Sequence, residues 1–237
     1  MMNNEIATNI LSDINGEYGT ILIDPPWRFH NSTGKMAPEH KRLYRYQTMT
    51  NEEIINLPVK ELTLPKAHLY LWVPNALVKL GLEVMESWGF TYKTNLIWYK
   101  VRKDGGPDRR GVGFYFRNVT EMILFGVRGS LRTFQPGRSM PNILISMKRE
   151  HSRKPDQLYP VIEECSPGPY LELFNRVPRD GWTCWGDQTG EYVPKVNNYS
   201  KDAIDQVMPL NNQYVLFSKK EEYKVDNSSD YSDKLNE

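Results

Sequence analysis

The chain has 237 residues, 39% apolar and 25% charged, so it can bury one sizeable core and has an ordinary globular composition. Its formal net charge of +1 excludes a strongly acidic or basic polyelectrolyte. The sequence has no apolar run of membrane-span length and no signal-peptide profile at its first residues, so we expect a cytoplasmic protein without membrane contact. Cys165 and Cys184 are expected to be reduced, and no group of residues has metal-ligand spacing, so we expect no metal site.

The first predicted strand covers residues 20–23, an apolar run that is hydrophobic on both faces, as in a buried parallel strand. The strand must end at Asp24, because Pro25 restricts the residue before it and neither Pro25 nor Pro26 can donate a ladder hydrogen bond. The sequence therefore predicts a carboxylate at the carboxyl end of a central strand, where open α/β sheets bind their ligands.

The motif Asp24-Pro25-Pro26-Trp27 suits the binding of a planar amine such as that of adenine. A carboxylate and a proline carbonyl only accept hydrogen bonds, so each can bind one N–H of the amine. The indole of Trp27 offers a face on which the base can stack. The motif is also compatible with a strand followed by a stiff turn, with Trp27 packed in the core.

The predicted helices cover residues 51–57, 75–89 and 155–165. Thr50 and Glu53 form a capping box for the first of them. Asn75 is predicted to cap the second, and Pro155 suits the first turn of the third. Further strands are predicted at residues 67–73, 92–100, 120–127, 143–145, 170–174, 183–185 and, at the edge of the sheet, 213–217.

This alternation of strands and helices predicts an α/β fold with a doubly wound, mostly parallel sheet. We expect residues 1–190 to form the folded domain, with a long polar connection over residues 30–49. Residues 191–237 are polar and acidic, and we expect a loosely held or disordered tail there.

Basic residues are concentrated between Lys100 and Lys154, where thirteen Lys or Arg residues face only four acidic ones. A charge run is usually a solvated surface, but this segregation around several glycines favours flexible basic loops that bind a polyanion. We therefore expect contact with nucleic acid.

Matching blocks occur in order along the chain at residues 24–27, 46–49, 71–73, 97–100, 121, 126–129, 151–156, 172–176 and 186–188. In these blocks the chain resembles the DPPW-type N6-adenine methyltransferases, which include the catalytic subunit of the eukaryotic mRNA N6-adenosine methyltransferase complex and bacterial and phage relatives. The resemblance covers roughly residues 18–190. It implies a Rossmann-like class I methyltransferase fold that uses S-adenosylmethionine, with the catalytic motif preceding the cofactor-binding motif.

The resemblance also implies roles for individual residues. The catalytic group would comprise Asp24, Pro25, Pro26 and Trp27. The cofactor would be held by Asp24, Lys154, Asn175, Arg176, Val177, Pro178, Arg179, Asp187 and Gln188, with Lys154 near its carboxylate. The pocket for the target adenosine would be lined by Tyr46, Trp72, Trp98, Lys100, Arg117 and Glu121.

The chain departs from the mRNA enzymes at Asn175, Arg179, Asp187 and Asn118, which stand where those enzymes have glycine, asparagine, asparagine and histidine. Trp72 and Trp98 lie in predicted strands, where a place in the core is equally compatible. Glu121 lies in an apolar strand, and an unpaired carboxylate there would be costly, so we expect it to have a partner.

These observations predict methylation of the N6 amine of adenine in nucleic acid, with DNA favoured over RNA because the chain carries no recognisable RNA-binding module. One alternative is a non-catalytic subunit that presents nucleic acid to an active partner, although such chains lose the Asp-Pro-Pro-Trp acceptors and the cofactor lysine. Another alternative is methylation of a small-molecule or protein amine, which the basic loops disfavour. We expect nucleic acid as the partner, with a homodimer or heterodimer as the possible assembly.

Overall fold

The computed structural model describes residues 5–28, 48–102, 104–108, 115–147 and 153–186. Within them the α-helices are α1 (Glu5–Asp13), α2 (Asn51–Ile55), α3 (Val78–Ser87), α4 (Gln135–Ser139) and α5 (Leu158–Cys165). A 3-10 turn, Asn75–Leu77, precedes α3. The strands in the same part of the chain are β1 (Tyr18–Ile23), β2 (Thr63–Val73), β3 (Thr91–Val101), β4 (Thr120–Arg128), β5 (Ile143–Met147), β6 (Tyr170–Leu173) and β7 (Trp182–Trp185).

The strands form one sheet in the order β5-β3-β4-β2-β1-β6-β7. β1 is central: β2 and β6 flank it in parallel, and all of its residues are buried. The pairs β3–β5 and β6–β7 are also parallel, whereas β4 runs antiparallel to both β2 and β3. The predicted α/β fold with a mostly parallel sheet is confirmed.

Both faces of the sheet are covered, because successive side chains of a strand point to opposite faces. In β1, Ile21 and Ile23 pack in the core beneath α1, α2 and α3, while Leu22 packs in the core beneath α5. α3 lies very close to the sheet, since a Cβ added at Gly126 of β4 would lie 2.7 Å from the sulfur of Met85. The carboxyl ends of the parallel strands lie at the edge of the sheet between the two helical layers, where open α/β sheets bind their ligands.

Several local predictions are confirmed and others are wrong. The capping box of Thr50 and Glu53 starts α2 as predicted. Asn75 does not cap α3, because its amide instead donates to the hydroxyl of Thr120 at 3.1 Å and so ties the end of β2 to the start of β4. α5 begins at Leu158 rather than at Pro155.

Two helices were not predicted. α1 precedes β1 and buries Ile10 against the core. α4 overlaps the end of residues 128–138, where a second basic loop was expected, and it contains proline and glycine, both poor helix formers. Tertiary packing holds it, since the N–H of Phe134 donates to the carbonyl of Cys165 at the end of α5 at 2.9 Å.

Some predictions lie outside the described residues. They are most of the connection over residues 30–49, the edge strand at 213–217, the domain end at 190 and the tail over 191–237. In the described part of the chain, no helix is long and apolar enough to span a membrane.

Candidate active site

Asp24 directly follows β1, at the carboxyl edge of the sheet. The two prolines after it have no backbone N–H to donate, so strand pairing ends there. The Asp24 carboxylate therefore lies just beyond the last paired residue of β1. Its side chain keeps 34% of its surface exposed, in contrast to the fully buried strand that carries it. Asp24 is therefore a carboxylate on a rigid support that a substrate can reach.

The backbone of the next three residues forms a tight turn. The N–H of Trp27 donates to the carbonyl of Pro25 at 2.8 Å, and the N–H of Met49 donates to the carbonyl of Pro26 at 2.9 Å. A carbonyl oxygen has two lone pairs, so the carbonyl of Pro25 retains acceptor capacity for a substrate N–H. The prediction that Asp24 and Pro25 together accept from an amine is compatible with this geometry.

Trp27, for which a stacking role was predicted, lies in the core. The residue is only 4% exposed, packs in the main core and donates its indole N–H to the carbonyl of Trp72 at 2.9 Å. The ring therefore anchors the turn after Asp24 and presents no free face to a base. This is the arrangement that the alternative interpretation of the motif anticipated.

Four charged side chains form a chain at this edge: two lie in β3 and β4, one directly follows β1, and one lies in the segment before α5. The ammonium of Lys154 lies 3.3 Å from Oδ2 of Asp24 and 2.8 Å from Oε2 of Glu121. The other oxygen of Glu121 accepts from the ammonium of Lys100, which is buried in β3. Carboxylates and ammonium groups thus alternate, and their formal charges sum to zero.

Two tryptophans support this ionic chain from the interior. The ammonium of Lys154 lies 4.4 Å from the ring of Trp72, and that of Lys100 lies 4.9 Å from the ring of Trp98. Trp72 and Trp98 are each 2% exposed and pack edge to face at 6.1 Å. Their rings face the lysines and the core, where cation–π contacts stabilise the cations. This burial favours the core position that the sequence also allowed for both over the predicted pocket-lining role.

The protonation states follow from burial and from these pairs. Burial acts to raise the pKa of Glu121, but the ammonium groups of Lys154 and Lys100 outweigh it and lower that pKa to about 2. Burial raises the pKa of Asp24 above its ordinary value, with Lys154 opposing the shift. Burial acts to lower the pKa of Lys154, but Asp24 and Glu121 raise it. At neutral pH Lys154 is therefore charged, while Asp24 binds a proton more readily than an exposed aspartate does.

The loop after β6 lies beside β1 and carries the predicted cofactor segment. Phe174 turns the chain with a φ of 62°, a left-handed conformation that is costly for a bulky residue. A Cβ added at Gly186 would lie 2.8 Å from the carbonyl oxygen of Asn175, so the end of β7 packs directly on this loop. A strained turn at a strand end beside Asp24 is typical of a ligand-binding loop.

The segment 175–179 presents only some of its side chains to a ligand. Asn175 is 1% exposed and donates to Glu172 at 2.5 Å and to the carbonyl of Val177 at 3.1 Å; Val177 itself is 7% exposed. Their predicted cofactor contacts are therefore limited to the main chain. Arg176 is partly exposed and close enough to lower the pKa of Asp24, and Pro178 is exposed.

Glu172, which begins the matched block 172–176, is a buried acid in β6. The hydroxyl of Tyr159 lies 2.9 and 3.0 Å from its two carboxylate oxygens, beside the amide of Asn175. Burial raises the pKa of Glu172 to about 7, although these two hydrogen bonds oppose the shift. In the sequence, Glu172 is an acid within an apolar strand, as Glu121 is, and this pattern predicts a buried carboxylate that needs a partner.

Arg179 links the cofactor loop to the segment that carries Lys154. Its guanidinium lies 3.6 Å from the centre of the Tyr159 ring and 3.4 Å from Oδ1 of Asp156, which also pairs with Arg153 at 3.2 Å. The buried Nε of Arg179 has no hydrogen-bond partner in the described part of the chain. Arg179 therefore braces the loop and retains a donor for a polar ligand atom.

These donors and acceptors fit S-adenosylmethionine. Lys154 has three N–H donors and uses two of them on carboxylates, so one remains for the carboxylate of the cofactor. Asp24 offers an acceptor for its amino group, and Arg179 has the free Nε donor. Among the described residues, no three His, Cys, Asp or Glu side chains are grouped to hold a metal.

The other predicted residues fall into three groups. Arg117 is exposed on the connection that leads into β4. Tyr46, Asp187 and Gln188 lie outside the described residues. Part of the basic cluster is structural, since the guanidinium of Arg128 donates to the carbonyls of Lys60 and Thr63, while Lys100 and Arg153 are buried.

Comparison with known proteins gives matches over nearly all of this body. The family model MT-A70 matches residues 18–188. The chain is 33% identical over 187 residues to a putative N(6)-adenosine-methyltransferase MT-A70-like protein of Medicago truncatula, an alignment that covers 76% of this chain and 28% of that protein.

Two further relatives differ in length. The N(6)-adenosine-methyltransferase catalytic subunit METTL3 of Homo sapiens is 30% identical over 179 residues, with 73% of this chain and 28% of METTL3 covered. The type II methyltransferase M.MunI of Mycoplasma sp is 28% identical over 186 residues, with 72% of this chain and 77% of M.MunI covered. The chain thus spans under a third of the plant and animal relatives but most of M.MunI.

Proposed function

This chain belongs to the MT-A70 family, and we propose that it transfers a methyl group from S-adenosylmethionine to the N6 amine of adenine in nucleic acid. The observation that carries the proposal is the Asp24 carboxylate, which is partly exposed at the carboxyl end of the central strand and paired with Lys154. The names of the relatives support the reaction, because several of them are called N(6)-adenosine methyltransferases.

The target amine would bind between Asp24 and Pro25. Lys154 contacts Oδ2 of Asp24, which leaves Oδ1 to accept one N–H, and the carbonyl of Pro25 accepts the other. These two acceptors orient the nitrogen and draw its lone pair away from the ring. The base must be unpaired or flipped out, because its amine is inaccessible inside a duplex.

The chemical step needs little from the protein beyond placement. The cofactor supplies an electrophilic methyl group when it is bound. The nitrogen forms its new bond to carbon as the carbon–sulfur bond breaks, and the methylated nitrogen then loses one proton. The Asp24 carboxylate accepts that proton, which its raised pKa favours, and releases it to water. Positioning and charge placement then account for most of the rate gain.

We propose DNA as the preferred substrate and RNA as the alternative. The chain covers 77% of M.MunI, whereas it covers only 28% of METTL3. The support for DNA is this match over 72% of the chain to M.MunI, which is a bacterial type II DNA methyltransferase. The fold and the Asp24 geometry are equally compatible with either polymer.

The decisive experiment incubates the chain with methyl-labelled cofactor and matched single-stranded DNA, duplex DNA or RNA, followed by nucleoside analysis. We expect labelled N6-methyladenine, with the highest yield from DNA. Asp24→Asn should lower the rate at least about 100-fold while cofactor binding by calorimetry persists. Asp104→Asn is the matched control, since Asp104 is an exposed aspartate that pairs with Arg102.

Each negative result has a distinct meaning. Full activity of Asp24→Asn would refute the role of the carboxylate. Cofactor binding without transfer to any nucleic acid would favour a small-molecule or protein amine as the substrate. Failure of the wild-type chain to bind the cofactor would favour a non-catalytic subunit.

A further inference from the structure

Two adjacent aromatic rings stand in solvent on the connection between β3 and β4. Tyr115 is 94% exposed and Phe116 is 87% exposed, far above the other large apolar side chains in the described residues. Arg117, which follows them, is also exposed. Single exposed apolar residues are common, but a neighbouring pair beside a cation is typical of a surface that a ligand covers.

The pairing of the strands in the sheet places Tyr115 and Phe116 near Asp24. β4 starts at the edge where β2 ends, since Val73 pairs with Met122. The amide of Asn75, just after β2, lies 3.5 Å from the side-chain oxygen of Asn118, next to Arg117. β4 and β1 are separated by β2 alone, a span of roughly 10 Å at the usual strand spacing. The rings therefore lie at the same edge of the sheet as the candidate active site.

We propose that Tyr115 and Phe116 stack on unpaired bases that flank the target adenine, while Arg117 contacts the phosphate backbone. The proposal rests on the proposed function, because it requires a nucleic-acid strand at the Asp24 edge. Stacking on an aromatic ring tolerates any base sequence, since every base has a π-face. The adjacent Arg117 cation would attract the phosphates of a polyanion, whereas it would contribute little to the binding of an apolar partner.

The size of the patch favours a nucleic-acid strand over a protein. Two aromatic side chains bury roughly 300–500 Å² when they are fully covered. A stable protein interface buries about 800 Å² on each partner, so two rings alone are too small for one. Although Lys100, Arg153 and Lys154 are buried or paired, the exposed Arg117, Arg132 and Arg138 of the same basic segment add charge complementarity to a polyanion.

The test measures strand binding by fluorescence anisotropy with the full chain. Tyr115→Ala combined with Phe116→Ala should weaken binding of single-stranded DNA and of single-stranded RNA by at least about tenfold, and binding of duplex DNA much less. Tyr92→Ala is the matched control: Tyr92 is 40% exposed near the start of β3, at the opposite edge of the sheet, and its loss should change affinity less than twofold.

Salt dependence separates stacking from charge. Arg117→Ala should reduce the slope of log affinity against log salt by about 0.7 for a single strand, whereas removal of the two rings should leave that slope unchanged. The same slope change in the ring variant would show that its effect is electrostatic and would overturn the stacking proposal.

Two outcomes distinguish this proposal from the proposed function. Unchanged strand affinity of the ring variant, in a wild-type chain that binds cofactor and methylates DNA, would overturn the stacking proposal alone. Loss of self-association in sedimentation, with strand affinity unchanged, would overturn it in favour of a protein interface. A wild-type chain that binds strands through the rings but neither binds cofactor nor transfers methyl groups would overturn the proposed function alone.

Discussion

Replacement of Lys154 by methionine tests the ionic chain at the sheet edge. The substitution keeps an unbranched side chain over the Trp72 ring but removes the ammonium between Asp24 and Glu121. Two carboxylates then remain close together, with Lys100 as the cation that still contacts Glu121. We expect Lys154→Met to lower the free energy of unfolding by about 2–2.5 kcal/mol at pH 7.5.

This magnitude follows from the pKa of Glu121. A shift from 4.5 to about 2 corresponds to about 3.4 kcal/mol at about 1.36 kcal/mol per unit, shared between two lysines. The Glu121 side chain is 30% exposed, so solvent screening reduces the share of Lys154 to roughly 1–1.5 kcal/mol. The pair with Asp24, whose side chain is 34% exposed, adds about 1 kcal/mol.

The assay is urea unfolding of the wild type and the variant between pH 3 and pH 8. The folded state lowers the pKa of Glu121, so its contribution to stability is present above 4.5 and is lost as the pH falls toward 2. The deficit of the variant should therefore be largest above pH 6 and should shrink toward pH 3. Lys79→Met is the control, since Lys79 is 94% exposed and pairs with Glu83 only at 4.0 Å.

Two results would refute the reasoning. A deficit that stays constant from pH 8 to pH 3 would show that Lys154 acts through packing alone. A deficit no larger than that of Lys79→Met, which should stay below about 0.5 kcal/mol, would show that the ionic chain does not contribute to stability.

Two further substitutions test the network behind the cofactor loop. The folded state raises the pKa of Glu172 to about 7, so its contribution to stability is present below 4.5 and is lost as the pH rises through 7; Glu172→Gln should abolish this fall of up to about 3 kcal/mol in urea unfolding. An unchanged pH profile in that variant would contradict the assignment. Arg179→Met should cost about 1–3 kcal/mol and weaken cofactor binding in calorimetry, because it breaks the contacts with Asp156 and Tyr159. Arg132 is exposed, so Arg132→Met serves as the control. Equal losses of stability and of cofactor affinity in the two variants would show that the Arg179 contacts do not hold the loop.

The parts of the fold that local chemistry controls were predictable from the sequence. The end of β1 at Asp24 follows from two prolines, and the start of α2 follows from the capping box of Thr50 and Glu53. Both depend on residues within a few positions of each other. The cap assigned to Asn75 failed because a more distant partner, Thr120, took its amide.

The sequence by itself determined the family, the alternation of strands and helices and the position of the acid at the end of the central strand. Only the tertiary structure decided which side chains surround that acid. Lys100, Glu121 and Lys154 are far apart in the chain, and the strand order brings them to one edge beside Asp24. Likewise, a tryptophan in a motif or a strand can line a pocket or pack in the core. Only the packing of both sheet faces showed that Trp27, Trp72 and Trp98 are buried. Local sequence restricts backbone conformation, whereas the neighbours of a side chain depend on contacts between distant segments.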